Sequence, residues 1–212
     1  MDIEDTSSSK KYYDNISVAK RTKQVVYLVQ QHDKYQMLME TLANLSNKQL
    51  IILVKSKKTA DILMDFLNKK ELKSLAIHGN HRSSQIQAAQ IAFNSKELSI
   101  LITTDRILDK LVLENVQAVI NYDLPLEASD YFNRLILVDE TGESISFINE
   151  EDKPTLEIIE YMIKSKIKEE KIENFKHTDA PIKIKKDKTK KPPHKKVAKA
   201  AKNRDKIKSE VK

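Results

Sequence analysis

From Gln24 onward the chain alternates short apolar runs with stretches whose apolar residues recur at helical spacing. Val25-Val26-Tyr27-Leu28-Val29 is a bulky, β-branched run of strand length. Asp33 and Gln36 have the spacing of a capping box, and Tyr35, Leu38, Met39 and Leu42 share one helical face. Gln49 to Val54 predicts a second strand that is continuously apolar rather than alternating, the pattern of strands buried on both faces. A helix from Thr59 to Asn68 follows, then a strand over Leu75-Ala76-Ile77 and a helix from Ser84 to Phe93 with a Ser84/Gln87 capping box. Strands are predicted at Ser99–Thr103 and Val116–Tyr122, and a short helix at Glu127–Phe132. The stretch Leu135 to Ile148, broken by Thr141-Gly142, reads as a hairpin or as one long strand. A last amphipathic helix is expected from Asp152 to Lys171. This alternation predicts an α/β fold, an open parallel sheet wrapped by helices.

Charge divides the chain. Its 38 Lys and Arg against 31 Asp and Glu give +7 overall, but residues 176–212 alone carry 15 basic and 4 acidic side chains. Residues 1–175 are therefore mildly acidic. We expect three regions: a flexible lead-in over 1–23, a folded domain over 24–175, and a disordered Lys-rich tail over 176–212. The tail is poor in apolar residues and contains Pro181, Pro192 and Pro193, so it has little to offset the entropy of ordering. A polybasic segment attracts polyanions, most simply nucleic acid, through counterion release. The acidic start Met1-Asp2-Ile3-Glu4-Asp5 lacks a signal-peptide profile and no apolar run approaches a bilayer span, so a soluble, cytoplasmic protein with no membrane partner is expected.

Composition also excludes chemistry. There is no Cys, so no thiol nucleophile, disulfide framework or Cys-ligated metal. Gly79 and Gly142 are the only glycines, which rules out a Walker A loop and a G-x-G-x-x-G turn in these 212 residues. Of five histidines only His78 and His81 are close in sequence, an H-x-x-H pair short of the ligands zinc requires, so no metal site is expected. Glu150-Glu151-Asp152 and Glu169-Glu170 read as caps and solvated faces.

Ligands of an open parallel sheet bind at the carboxyl ends of its strands. Those ends are predicted to carry Lys55, Ser56, Lys57 and Lys58, then His78, Gly79 and Asn80, then Thr103, Thr104 and Asp105, then Asn121-Tyr122-Asp123. Small hydroxyls, ammonium groups and a glycine suit a phosphate backbone. Each piece alone is weak, since Ser56 or Thr104 could equally cap a helix.

In order, these pieces resemble a family. Gln24 to Phe175 is similar to the C-terminal RecA-like domain of DEAD-box RNA helicases. Ile51-Ile52-Leu53-Val54-Lys55-Ser56-Lys57-Lys58-Thr59 stands where motif IV lies, His78-Gly79-Asn80 matches the H-G-D/N turn, and Ile100-Leu101-Ile102-Thr103-Thr104-Asp105 matches the start of motif V. Val119-Ile120-Asn121-Tyr122-Asp123-Leu124-Pro125 nearly repeats the family's I-N-Y-D-L-P, and Tyr131 with Arg134 fits the opening of motif VI. Ile16-Ser17-Val18-Ala19 resembles the end of the preceding lobe.

The departures are specific. Ser83 and Ile86 replace a Q-x-x-R pair, and Leu108-Asp109-Lys110-Leu111-Val112 replaces the A-R-G-x-D of motif V, whose acid reaches the nucleotide ribose. Leu137 and Glu140 occupy the two arginine-finger positions of motif VI. Such fingers contribute about 10³–10⁵ in rate in related phosphoryl transfer. Neither Walker A nor a D-E-A-D box is present. The resemblance therefore implies an RNA-binding, catalytically degenerate lobe, a pseudoenzyme that hydrolyses no ATP. No catalytic residue is assigned and no cofactor is expected, ATP and Mg entering only with an N-terminal helicase lobe, to which Arg134 could contribute. RNA contacts are expected at Ser56, Lys57, Lys58, Gly79, Asn80, Thr104 and Asp105, and in the tail at Lys185, Lys186, Lys190, Lys191, Lys195 and Lys196. The alternatives are one lobe of an active helicase, or a module that docks on a ribonucleoprotein component.

Overall fold

Five strands of this protein are buried at all or all but one of their positions, with apolar clusters on both faces of the sheet. The computed structural model describes residues 15–139, 141–173 and 175–178. These residues belong to one compact unit, Met1–Asp179, and a second unit, Ala180–Lys212, contains none of them. Strands β1 (Lys23–Leu28), β2 (Leu50–Leu53), β3 (Ser74–Ile77), β4 (Ile100–Thr103), β5 (Ala118–Asn121), β6 (Glu143–Ile148) and β7 (Lys168–Glu170) form one sheet in the order β3-β4-β2-β5-β6-β1-β7. Every pairing is parallel, as the unbroken apolar runs predict.

Successive strand residues point to opposite faces, so the single run Leu50–Leu53 feeds two cores. Leu50 and Ile52 pack with Leu38 and Leu42 of α2 (Lys34–Asn44) and with Leu63 and Leu67 of α3 (Lys57–Lys69). Ile51 and Leu53 pack on the other face, with Ile86, Ala89 and Phe93 of α4 (Ser83–Asn94) and with Ile107 and Leu108 of α5 (Asp105–Leu108). A third cluster joins α1 (Asn15–Arg21), α6 (Asp130–Ile136) and α7 (Lys153–Ile163) over Val26 and Ile148.

Several expectations need correcting. Asn15–Arg21 is not part of a flexible lead-in: it is a helix, with Val18 and Ala19 buried. Seven residues are too few to hold a helix in water, so burial against α6 and α7 is what holds this one. Leu135 to Ile148 is neither a hairpin nor one strand. Its first part completes α6, and only Glu143–Ile148 is strand, paired in parallel with β5 and β1. The last helix stops at Ile163, where Lys164 is left-handed (φ 56°), and the chain returns as the edge strand β7. Helix α4 is capped two residues earlier than the expected Ser84, at Arg82, with the Gln85 side chain accepting from the Arg82 N–H at 2.9 Å. At Asp33 the capping-box spacing misleads, because its carboxylate makes no cap bond.

The two glycines differ. A Cβ on Gly142 would lie 2.4 Å from Val138 Cγ1 and 2.9 Å from the Gln117 carbonyl, so tight packing demands glycine there. A Cβ on Gly79 would meet nothing within 4 Å.

Candidate nucleic-acid interface

Parallel pairing brings the carboxyl ends of β2, β3 and β4 to one edge, where they open into a cleft of about 720 Å³. The loop after β2 contributes Lys55, Ser56 and Lys57. The turn after β3 contributes His78, Gly79 and Asn80, and the loop after β4 contributes Thr104, Asp105 and Arg106, with Lys110 beyond. Ser56 caps α3, its Oγ accepting the Thr59 N–H at 3.1 Å and sitting 2.8 Å from the Thr59 hydroxyl. Lys57 Nζ donates across the cleft to Asn80 Oδ1 at 3.0 Å. Both residues are exposed, so this bond is readily exchanged for a ligand.

Behind the cleft lies a buried polar bracket built on the end of β5. Arg134 is fully buried and grips Asp105 bidentately, Nε to Oδ1 at 2.6 Å and Nη2 to Oδ2 at 2.7 Å. Its Nη1 donates to Asn121 Oδ1 at 2.9 Å and to the Asp123 carbonyl at 2.8 Å. Asn121 in turn donates to the hydroxyls of Ser144 and Ser146. On the other side Lys34, 1 % exposed, donates to the Tyr122 carbonyl at 2.7 Å and to Asp123 Oδ1 at 3.1 Å. Asp123 Oδ2 accepts the Lys55 N–H, and Asp152 Oδ1 accepts Lys55 Nζ at 3.2 Å. Both the Lys55–Lys57 loop and the Thr104–Asp105 loop are thus fastened to Asn121-Tyr122-Asp123. Burial, with Tyr35 and the Asp123 charge adding to it, pushes the Tyr122 hydroxyl far above its ordinary range, so it stays neutral.

Ser56, Lys57, Gly79, Asn80, Thr104 and Asp105 are brought together at one edge. Lys58 is exposed on the first turn of α3 but does not line the cleft. The Asp105 carboxylate is committed to Arg134, and Arg134 has no exposed surface to offer a nucleotide. Leu137 is half-buried against the second core. Glu140 lies outside the described residues, as do Lys185, Lys186, Lys190, Lys191, Lys195 and Lys196. Lys55, one of the strand-end residues expected from the sequence, also lines the cleft, whereas sequence reasoning missed Arg106 and Lys110, which sit four positions apart. It also missed an acid near the histidines: His78 Nε2 is 2.9 Å from Asp61 Oδ1. Among the described residues no group of three His, Asp or Glu is placed to hold a metal ion, and no helix is long and apolar enough to cross a membrane.

Comparison with known proteins agrees with this geometry. Residues 33–136 match the family described as the helicase conserved C-terminal domain. Over 132 residues, 61 % of this chain, it is 33 % identical to the ATP-dependent RNA helicase vasa of Drosophila melanogaster. The chain carries a DEAD-box helicase C-terminal domain. It spans about a fifth of the length of the curated relatives it matches, 20 % in the case of vasa. Among solved structures, a DEAD box protein from Methanococcus jannaschii superimposes on this DEAD-box lobe with a TM-score of 0.68 at 28 % identity, covering 73 % of this chain and 43 % of that one. Dbp5 of S. cerevisiae, solved bound to RNA and ADP BeF3, shares the fold with a TM-score of 0.68 at 22 % identity, covering 74 % and 44 %.

Proposed function

We propose that this domain binds single-stranded RNA across the carboxyl edge of its sheet, that the Lys-rich tail supplies most of the affinity, and that the lobe does not turn over ATP. The observation that carries the reading is the cleft itself. Lys55, Lys57, Arg106 and Lys110 line it with exposed hydrogen-bonding groups and the open face of Gly79, and they outnumber the carboxylates Asp109 and Asp130, Asp105 being held by Arg134, a lining suited to positioning phosphates rather than reading bases. The absence of turnover rests on motif VI. Arg134, the one basic side chain of α6, is spent on Asp105, Asn121 and Asp123, and Leu137 is an aliphatic residue packed on the core. Nothing on this helix would meet a transferring phosphate with positive charge. The residues present therefore do not fit a catalytic nucleotide site, and no hydrolytic step is derived through them.

The test uses the full chain. Fluorescence anisotropy of a short single-stranded RNA is measured at two salt concentrations for the natural chain and for a variant with Lys185, Lys186, Lys190, Lys191, Lys195 and Lys196 changed to Gln. The natural chain should bind with log K falling by roughly 0.7 per neutralised phosphate per tenfold salt, and the variant should lose most affinity and flatten that slope. Unchanged binding by the variant would remove the tail from the reading, and no binding by either would remove RNA. ATPase activity on mixing with a DEAD-box N-terminal lobe would overturn the inactive assignment. A protein-docking role is favoured by one feature, the exposed Leu126 in the lining of the cleft, and predicts a partner retained after nuclease treatment.

A further inference from the structure

A second groove, of about 670 Å³, opens at the amino ends of β1 and β7, on the edge of the sheet opposite the cleft that Lys55 and Lys57 line. Its walls come from the end of α1 and from the turn after α7. Ala19, Ile163 and Ile167, all nearly buried, give it an apolar floor. Lys20, Lys164, Lys166 and Lys168 line it too, and no carboxylate of the described residues does. Two of these cations are already matched: Lys166 Nζ lies 2.6 Å from Glu160 Oε2, and Lys168 Nζ lies 2.7 Å from Glu170 Oε1. Lys20 and Lys164 are exposed and have no ion-pair partner among the described residues. An apolar stripe leads into the groove. Ile158 and Tyr161, three positions apart on one face of α7, are 54 % and 84 % exposed, and Lys164 follows three positions on.

We propose that this surface docks an acidic peptide segment of a partner protein, one that carries apolar side chains among its carboxylates. The carboxylates meet Lys20 and Lys164, while the apolar side chains cover Ile158, Tyr161 and the floor of the groove. Lysines near a helix end complement its dipole, which accounts for Lys20 or Lys164 taken singly. It does not account for an isoleucine and a tyrosine left in water beside them. The balance of charge selects an anionic partner, since the groove has two unmatched cations and no carboxylate in its lining. The aliphatic floor selects a peptide over a nucleic acid. Aliphatic side chains gain by leaving water there, whereas bases bind by stacking on successive aromatic rings, and Tyr161 is the one ring on this surface. The site lies apart from the carboxyl-edge cleft, and the inference does not rest on the RNA reading.

The probe is the fluorescein-labelled peptide Glu-Asp-Leu-Glu-Glu-Leu-Asp-Ile, with a control in which serine replaces its leucines and isoleucine. Anisotropy titrations use the full chain with the six tail lysines changed to Gln, as above, so that the tail does not capture an acidic probe. The apolar-containing peptide should bind about tenfold or more tightly than its serine control. Lys20→Glu combined with Lys164→Glu should weaken it about tenfold or more, and Tyr161→Ser about fivefold. Lys20→Gln combined with Lys164→Gln, which removes charge without adding repulsion, should fall between the parent and the charge reversal. All three side chains are exposed, and a urea midpoint establishes that each variant is folded. With the natural tail restored, the charge reversal should change oligouridylate affinity by about twofold or less. Failure of the peptide to bind, equal binding of its serine control, or binding that survives the charge reversal overturns the proposal. A matching loss of oligouridylate affinity would assign the groove to nucleic acid instead. A lowered urea midpoint with peptide affinity intact would reduce Lys20 and Lys164 to helix-end charges.

Discussion

Arg134, buried behind the cleft, and Lys57, in its lining, carry the same charge yet have opposite fates. Arg134 sits on the apolar stripe of α6, between Tyr131 and Val138, and its guanidinium is consumed by Asp105, Asn121 and Asp123. Lys57 opens α3 in solvent and holds only Asn80. The first charge is scaffold and the second is available. A basic residue in a functional motif is therefore not evidence of ligand contact until its partners are known, because a buried cation is compelled to find them inside the protein.

The sharpest way to break this contrast is to remove the buried charge. Arg134→Leu strands the Asp105 carboxylate and leaves Asn121 without its donor, and should cost about 3–5 kcal/mol of stability, read as a lower urea midpoint. Lys34→Met, which leaves Asp123 and Asp152 facing each other with only Lys55 between them, should cost about 3 kcal/mol by the same measurement. Gly142→Ala drives a methyl into Val138 and the Gln117 carbonyl and should cost about 1–3 kcal/mol. Gly79→Ala should leave stability within about 0.5 kcal/mol and change only RNA affinity. Lys57→Ala on the open side should likewise shift stability by less than about 0.5 kcal/mol while weakening RNA binding.

Acid offers a further comparison. Burial alone would raise the Asp33 carboxyl, but the hydrogen bonds from Thr178 hold it below its ordinary value. Burial would also raise Glu143, which Lys48 and Lys23 bring down. Groups lowered on folding contribute fully above their unfolded values, about 3.9 and about 4.3, and lose that contribution as pH falls through the lower folded values. Melting temperature should therefore drop below about pH 4, and less steeply in Asp33→Asn. An equal slope in both proteins would show that the Asp33 clamp contributes nothing on the acid side.

The sheet was legible in the sequence because short runs such as Leu50–Leu53 and Ala118-Val119-Ile120 leave no polar face, which only a two-sided burial explains. The carboxyl-edge cleft followed from parallel pairing. What was hidden was governed by contacts distant in sequence. Strand β7 contains only Lys168, Glu169 and Glu170, and it is strand because β1 has a free edge beside it. Asp33 shows the letters of a capping box but answers to Thr178. Lys34 could have been found: with Met37, Leu38 and Thr41 it falls on one buried helical stripe, where a charge must have a partner.

The pairing of β1 has a consequence in time. Both of its neighbours, β6 and β7, come late, Lys23 lying opposite Glu143 at a separation of 120 residues. At about 5–20 residues per second a ribosome needs on the order of 6–24 s to make that distance. Through that interval Val25 and Val26 have no ladder to join, so a chain whose translation stalls before Ile148 would offer an unmatched apolar strand to chaperones or to other stalled copies.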